Sequence, residues 1–412
     1  MNFWNDISTR LDNAIIPVGS GTVSTKVNNH IHTPYSYSAF DSIDRIISRA
    51  KEENISVLGI NDFNTVDGFR EWAAKCFGTG IFPLFNIEMI GLNRADQENG
   101  LRINDPNNPG RTYISGKGLA YPSVMSVKSA DRLRHIKELS NDHVYSMTQR
   151  INDILVKINE KLSIDFDEMS NNHTRGMVRE RHLAGMIRIN IEKIYPEVND
   201  RREIFKRLLE EDIHADKLND RAWLENLIRS RLLKAGGPAF IEEDPDIFIE
   251  PDDIRDIILD AGGIPTYPFL ADYSGGLYTD FEADKEKAAE KLTESGFYSA
   301  EFIPARNRSI LLREYVLFLY EKGFIVTFGT EHNAPGEKPV EVFLENERKL
   351  DDELLRINYE GACVLAAHQY LNATEGRGYL DEGGQPRRDK KEEFINLGDR
   401  LIKMTNKGLY EK

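Results

Sequence analysis

The chain has 412 residues, 40% of them hydrophobic and 29% charged, with a formal net charge of −15. That composition supplies a large core and excludes a general nucleic-acid-binding surface, leaving room only for a local basic site for an anion. Two cysteines, Cys76 and Cys363, exclude a disulfide framework and fit a reducing compartment. Asp6, Arg10 and Asp12 interrupt the stretch where a secretory signal needs an apolar run, and no run approaches the roughly 18 apolar residues of a bilayer span. A cytoplasmic protein is expected.

Taken in chain order, short apolar runs alternate with amphipathic stretches. "VNNHIHT" (27–33) reads as a strand, and "SIDRIISRAKEEN" (42–54) as a helix with Ile43, Ile46, Ile47 and Ala50 on one face and Asp41 or Ser42 as its cap. Strands "SVLGINDF" (56–63) and "IFPLFNIEMIG" (81–91) flank a helix through "VDGFREWAAKCF". The alternation resumes with a helix at 251–261, a strand at 263–270 and a helix at 281–295. A strand at 297–305, a helix at 309–323 and a strand at 324–332 complete it. Strand–helix alternation predicts parallel strands joined by crossovers, in a barrel or an open doubly wound sheet.

The middle of the chain is different. Residues 92–249 are more charged and mostly helical, after a Pro/Asn/Gly-rich loop and one possible strand, "RTYISGKG". They read as an insertion mounted on a discontinuous domain formed by 1–91 and 250–335. Residues 336–412 read as a helical extension, with helices at about 339–372 and 391–407.

His30 and His32 share one side of their strand, because side chains alternate with period two, and imidazoles so spaced suit Zn²⁺, Mn²⁺ or Fe²⁺. Three later strands end in polar residues able to bind metal: Asp62, Glu88 and the pair Glu331–His332. Carboxylates at the ends of apolar strands are costly to bury without partners, and barrel sites assemble at such ends. Each could instead cap a helix or pair with a lysine; four converging strands favour a site.

The order "HIHTPYSYS", "GINDFNTVDGF", "IFPLFNIEMIG" and "TFGTEHN" resembles the PHP (polymerase and histidinol phosphatase) superfamily of metal-dependent phosphoesterases. The resemblance covers about 25–91 and 250–335. It implies a distorted (β/α)7 TIM-like barrel holding divalent metals that activate water against a phosphoester. It makes His30, His32, Glu88 and Glu331 the metal ligands. Departures fall at Ser38, Phe63, Tyr267 and Asn333, each standing where the family usually has a ligand. A phenyl ring cannot coordinate, so one ion is expected and two at most. Asp62 and His332 are the candidates for catalysis beside it.

Ser38, Tyr267 and Asn333, with Tyr35 or Tyr37, could offer neutral donors to an anion, and the glycine-flanked Lys117 could add charge. Arg175, Arg179 and His182 in "HTRGMVRERH" are spaced to stack along one helix side, where the insertion could act as a lid contacting an anionic substrate. A solvated, internally paired helix is the plainer reading of that stretch. The expected function is a metal-dependent hydrolase, a phosphoesterase acting on a small phosphorylated substrate. The alternative is a degraded barrel serving as a ligand-binding or regulatory module. Neither nucleic acid nor a membrane is expected as partner.

Overall fold

The computed structural model describes residues 24–273 and 276–406, together with Trp4, Ile7 and Leu11. The rest of the N-terminal stretch 1–23, assigned above to the barrel, and the end 407–412 lie outside the described residues.

Among the described residues, seven strands form one sheet in chain order. They are β1 (Val27–Ile31), β2 (Val57–Phe63), β3 (Phe82–Leu92), β4 (Arg111–Lys117), β5 (Ile264–Pro268), β6 (Ser299–Phe302) and β7 (Ile325–Phe328). β1, β2, β6 and β7 are buried along their whole length, as expected of strands covered on both faces. The sheet nearly closes: Ile31 bridges Glu331 just beyond β7, and His32 N donates to Glu331 O at 2.8 Å. The fold is a distorted, TIM-like α/β barrel with a large helical insertion and a C-terminal helical extension.

The distortion sits at β4, which runs antiparallel to both β3 and β5, while the other four pairings are parallel. Uniformly parallel strands were expected. Residues 93–110 hold only the five-residue helix Arg94–Glu98 (α3), too little for a crossover, so the chain turns back on itself. The "RTYISGKG" segment, assigned above to the insertion, therefore supplies the middle strand of the sheet. Lys117, at its end, points into the barrel.

Helices α1 (Ile43–Glu52) and α2 (Phe69–Cys76) cover the first strands. α1 starts where Ser42 Oγ accepts from Arg45 N, and it buries Ile43, Ile46, Ile47 and Ala50. The insertion contains α4 (Val127–Ile158), α5 (Phe166–His173), α6 (Glu180–Ile194), α7 (Val198–Leu209), α8 (Ala215–Leu218) and α9 (Arg221–Ile228). It has its own apolar core around Met147, Ile151, Ile187, Phe205 and Ile228. Helices α10 (Pro251–Asp260), α11 (Lys285–Glu294) and α12 (Ser309–Glu321) complete the barrel.

The extension supplies α13 (Asp352–Glu375) and α14 (Lys391–Asn406). Residues 339–351, expected to be helical, hold only a 3-10 turn at Glu345–Glu347, across which Phe343 and Lys349 form a small bridge. α13 is buried because its side chains tie into strand backbone. Asn358 accepts from Phe328 N at 2.7 Å and donates to Val27 O at 3.1 Å, and Gln369 donates to Pro83 O at 2.8 Å. Gly398 lets α14 approach closely, since a β-carbon there would strike Cys363 O. No helix among the described residues is long and apolar enough to cross a membrane.

Candidate metal centre

The alternation of β1 sends His30 into the barrel, and His32, just past the strand end, follows it. The two Nε2 atoms lie 3.2 Å apart. Glu88, on β3, places Oε2 3.1 Å from His32 Nε2 and 3.7 Å from His30 Nε2. Three donors at the corners of so small a triangle match the span of one ion, because bonds of about 2.1 Å at tetrahedral or octahedral angles separate donors by about 3.0–3.4 Å. His30, His32 and Glu88 form the one His/Cys/Asp/Glu group among the described residues able to hold a metal.

Neighbouring groups fix the ring orientations. His30 Nδ1 faces Glu301 Oε2 at 3.0 Å, and a carboxylate only accepts, so Nδ1–H donates and Nε2 is left as the acceptor, with the Asn61 amide nitrogen at 3.0 Å and Glu88 Oε2 at 3.7 Å. Ser36 Oγ donates to Asp62 at 2.6 Å, so it accepts from His32 Nδ1–H at 3.2 Å. Asp62 also accepts from Thr33 N at 2.8 Å and Thr33 Oγ1 at 2.6 Å. Both imidazoles are thus aimed at one point from behind.

The electrostatics fit a cation there. Glu88 Oε2 is buried and has no hydrogen-bond partner. Burial pushes Glu88 up to about 8, opposed by His30 and Lys117 and reinforced by Glu331 and Glu301. Burial pushes His32 down to about 4, which keeps it neutral with a free lone pair. A buried carboxyl oxygen left without a hydrogen bond is costly unless a cation satisfies it.

The family match agrees with this arrangement: the PHP domain matches residues 28–205. That stretch holds His30, His32, Asp62 and Glu88 but stops short of β5, β6 and β7. No curated protein sequence matches the chain. Two solved structures are similar at low identity. One is an amidohydrolase from Chromobacterium violaceum with sulfate bound and no metal: 16% identity, TM-score 0.49, covering 81% of this chain and 96% of that one. The other, from Bifidobacterium adolescentis, is assigned as a metal-dependent phosphoesterase: 14% identity, TM-score 0.48, covering 87% and 98%.

Above the triad lies a cavity of about 510 Å³. Its floor includes His30, Glu88, Glu301, Glu331 and Asn333, and its roof Arg179, Arg181, Arg229 and Lys234 from the insertion. Arg229 and Lys234 are held by Glu180 at 2.5 and 2.7 Å. Among the described residues, Arg179 and Arg181 have no ion pair. Arg179 lies over the Phe63 ring, 4.3 Å from its centroid, and Phe63 stacks on His32 at 5.0 Å. Burial and the neighbouring Arg229 bring Arg181 down to about 10.

Several residues singled out from sequence are placed elsewhere. Glu331 is forked by Arg306, whose Nη1 lies 2.6 Å from Oε1 and whose Nη2 meets Oε2, while Asn333 donates to it at 2.8 Å. It therefore stands beside the triad instead of in it. His332 turns away because both it and Glu331 adopt left-handed backbone, at φ 60° and 66°. Its ring nitrogens meet Thr330 Oγ1 at 2.8 Å and Lys338 O at 3.0 Å, leaving none for catalysis. Asp62 is likewise committed to Thr33 and Ser36, so it orders the loop and does not reach the cavity.

Lys117 is fully buried, 2.6 Å from Glu301 Oε2, and cannot touch a substrate. Tyr267 is a core aromatic whose hydroxyl donates to Glu282 at 2.9 Å. Ser38 accepts from Phe40 N at 3.1 Å and lines, with Arg175 and His182, a neighbouring cavity of about 490 Å³. Arg175, Arg179 and His182 do not share a helix face, because α6 begins at Glu180 with Arg179 extended before it. His182 caps that start, its Nδ1 accepting from Arg179 N at 3.0 Å. Of the three, Arg179 alone reaches the triad cavity.

Sequence reasoning passed over Glu301, Ser36, Asn61, Arg306 and the roof residues Arg181, Arg229 and Lys234. Glu301 carried a readable signal, an acid between Ala300 and Phe302 in the middle of an apolar strand. The arginines carried none, since only tertiary packing brings them over the triad.

Proposed function

We propose that this chain is a PHP-type hydrolase of a small phosphoester, with His30, His32 and Glu88 holding one divalent ion of zinc, manganese or iron. The observation behind the reading is the unpartnered Glu88 oxygen facing two Nε2 atoms beneath a roof with two unpaired arginines. A divalent ion in this triad supplies an acidified water and polarises a phosphoryl oxygen. Arg179 and Arg181 bind the phosphoryl oxygens, Arg179 with its plane braced on Phe63. Asn333, held by Glu331, offers a neutral donor at the cavity wall. The insertion sets its basic side chains over the cavity mouth. Two buried, free cysteines fit action in the cytoplasm.

Elemental analysis of the purified protein is expected to find stoichiometric metal that His32→Ala loses, with turnover of generic phosphoesters that depends on it. Protein that stays metal-free after reconstitution would overturn the reading. A second reading, a PHP barrel kept as a ligand-binding module, is favoured by Phe63 and by Asp62 being locked to its loop. Retained metal and phosphate binding without turnover of any phosphoester would decide for it.

A further inference from the structure

We infer that Lys117 and Arg306 act as built-in cations that restrict this centre to a single divalent ion, by occupying Glu301 and Glu331 on either side of the triad. The inference rests on the metal reading above. Glu88, Glu301 and Glu331 line one cavity, so their charges must be balanced together. Two of them are. Lys117 Nζ sits 2.6 Å from Glu301 Oε2 and also meets Asn61 Oδ1 at 3.3 Å and Asn29 O at 3.2 Å. The Glu301 carboxylate is then fully used, with His30 on Oε2 and Ser115 on Oε1. Arg306 covers both oxygens of Glu331, and Asn333 adds a further donor.

The third carboxylate has no such cation, and its Oε2 has no hydrogen bond at all. The remaining buried acid nearby, Asp62, spreads its charge over three donors from Thr33 and Ser36. Charge and donor geometry therefore favour one cation, at Glu88. A second divalent ion would need Glu301 or Glu331 as ligand, and would lie against an ammonium or guanidinium already on that oxygen, which repels it. The two side chains supply in fixed form the positive charge that a further ion would bring. The carboxylates they hold in turn meet His30 and Asn333.

Metal stoichiometry tests this without reference to activity. Equilibrium dialysis against Mn²⁺ followed by elemental analysis is expected to give one ion per chain for the wild type and for Arg306→Lys, which keeps the charge. Arg306→Gln frees Glu331 and is expected to take up two, with the electron paramagnetic resonance spectrum of a coupled manganese pair. Lys117→Met is expected to do the same, and Lys117→Met/Glu301→Gln, which removes both charges, to return to one. Arg306 lines the cavity wall with its side chain 48% exposed, so its variant decides the matter should Lys117→Met fail to fold. Two ions in the wild type, or one in folded Arg306→Gln, would overturn the inference. No ion in the wild type would instead overturn the metal reading beneath it.

Discussion

Glu88 in the barrel and Glu225 in the insertion are equally deep, at 4% and 3% exposure. Their surroundings differ. Glu225 Oε1 is held by Arg188 Nε at 2.8 Å and Arg221 Nε at 3.2 Å. Glu88 Oε2 faces two histidine nitrogens and no cation. A buried acid with its partners in place is architecture, and its loss harms folding. A buried acid without them marks the place where something else binds. The two halves of the molecule follow this division: the insertion lends positive charge at its rim, and the barrel keeps at its mouth a buried acid whose Oε2 has no hydrogen-bond partner.

The largest effect expected on this comparison is His32→Ala, which should reduce bound metal from stoichiometric to none by elemental analysis while leaving the circular dichroism unchanged. Glu88→Gln should also lose the metal, yet in chelator-treated protein it should unfold no more easily than wild type, since the Oε2 it replaces has no hydrogen bond to lose. Next comes Lys117→Met, which strands Glu301 in the barrel. Urea denaturation of chelator-treated protein should show a loss of about 3–5 kcal/mol, and an unchanged midpoint would refute the pairing argument.

His368 sharpens the same rule with a base. Its Nε2 donates to Gly262 O and its Nδ1 accepts from Tyr379 N, both at 2.8 Å, and burial holds it down to about 4. Its folded value lies below its unfolded one, so its contribution is complete above about pH 6.5 and lost as pH falls toward about 4. Thermal unfolding followed over that window should show a decline of roughly 3 kcal/mol from this residue. His368→Gln should flatten part of it. Glu225→Gln should cost about 1–3 kcal/mol without altering metal content. If it lowered metal content, the division drawn between the two regions would be wrong. The smallest effect belongs to Ser36→Ala, which removes the acceptor orienting His32; metal affinity measured by titration calorimetry should fall roughly tenfold.

The sequence made the barrel legible wherever strand and helix periodicity were clean, as at β1, α1 and β2. It failed at β4, because an antiparallel turn is decided by the absence of a crossover and not by the strand itself. His30, His32 and Glu88 could be singled out because polar groups at apolar strand ends carry a cost. The choice between Glu331 and His332 could not be made, since it depends on two consecutive left-handed residues, a conformation uncommon for any residue but glycine. Lys117 was misplaced for a related reason. Flanking glycines suggested reach toward a substrate, whereas Gly116 and Gly118 lie against Ile258 and Leu365 in the core.

The junction between β1 and Glu331 has a mechanical consequence. Neighbouring strands elsewhere are joined by ladders, but here His32 N to Glu331 O, Glu331 N to His30 O and Thr330 N to His30 O carry the join. The barrel's weakest seam therefore runs through the residues that face the cavity. Any breathing of the cylinder starts where two of its donors and Glu331 are anchored, so the backbone amides of His32 and Glu331 should exchange with deuterium before their neighbours. A bound ion bridging β1 to β3 would act as a rivet beside that seam, and its arrival should be read first in the slowed exchange of these amides.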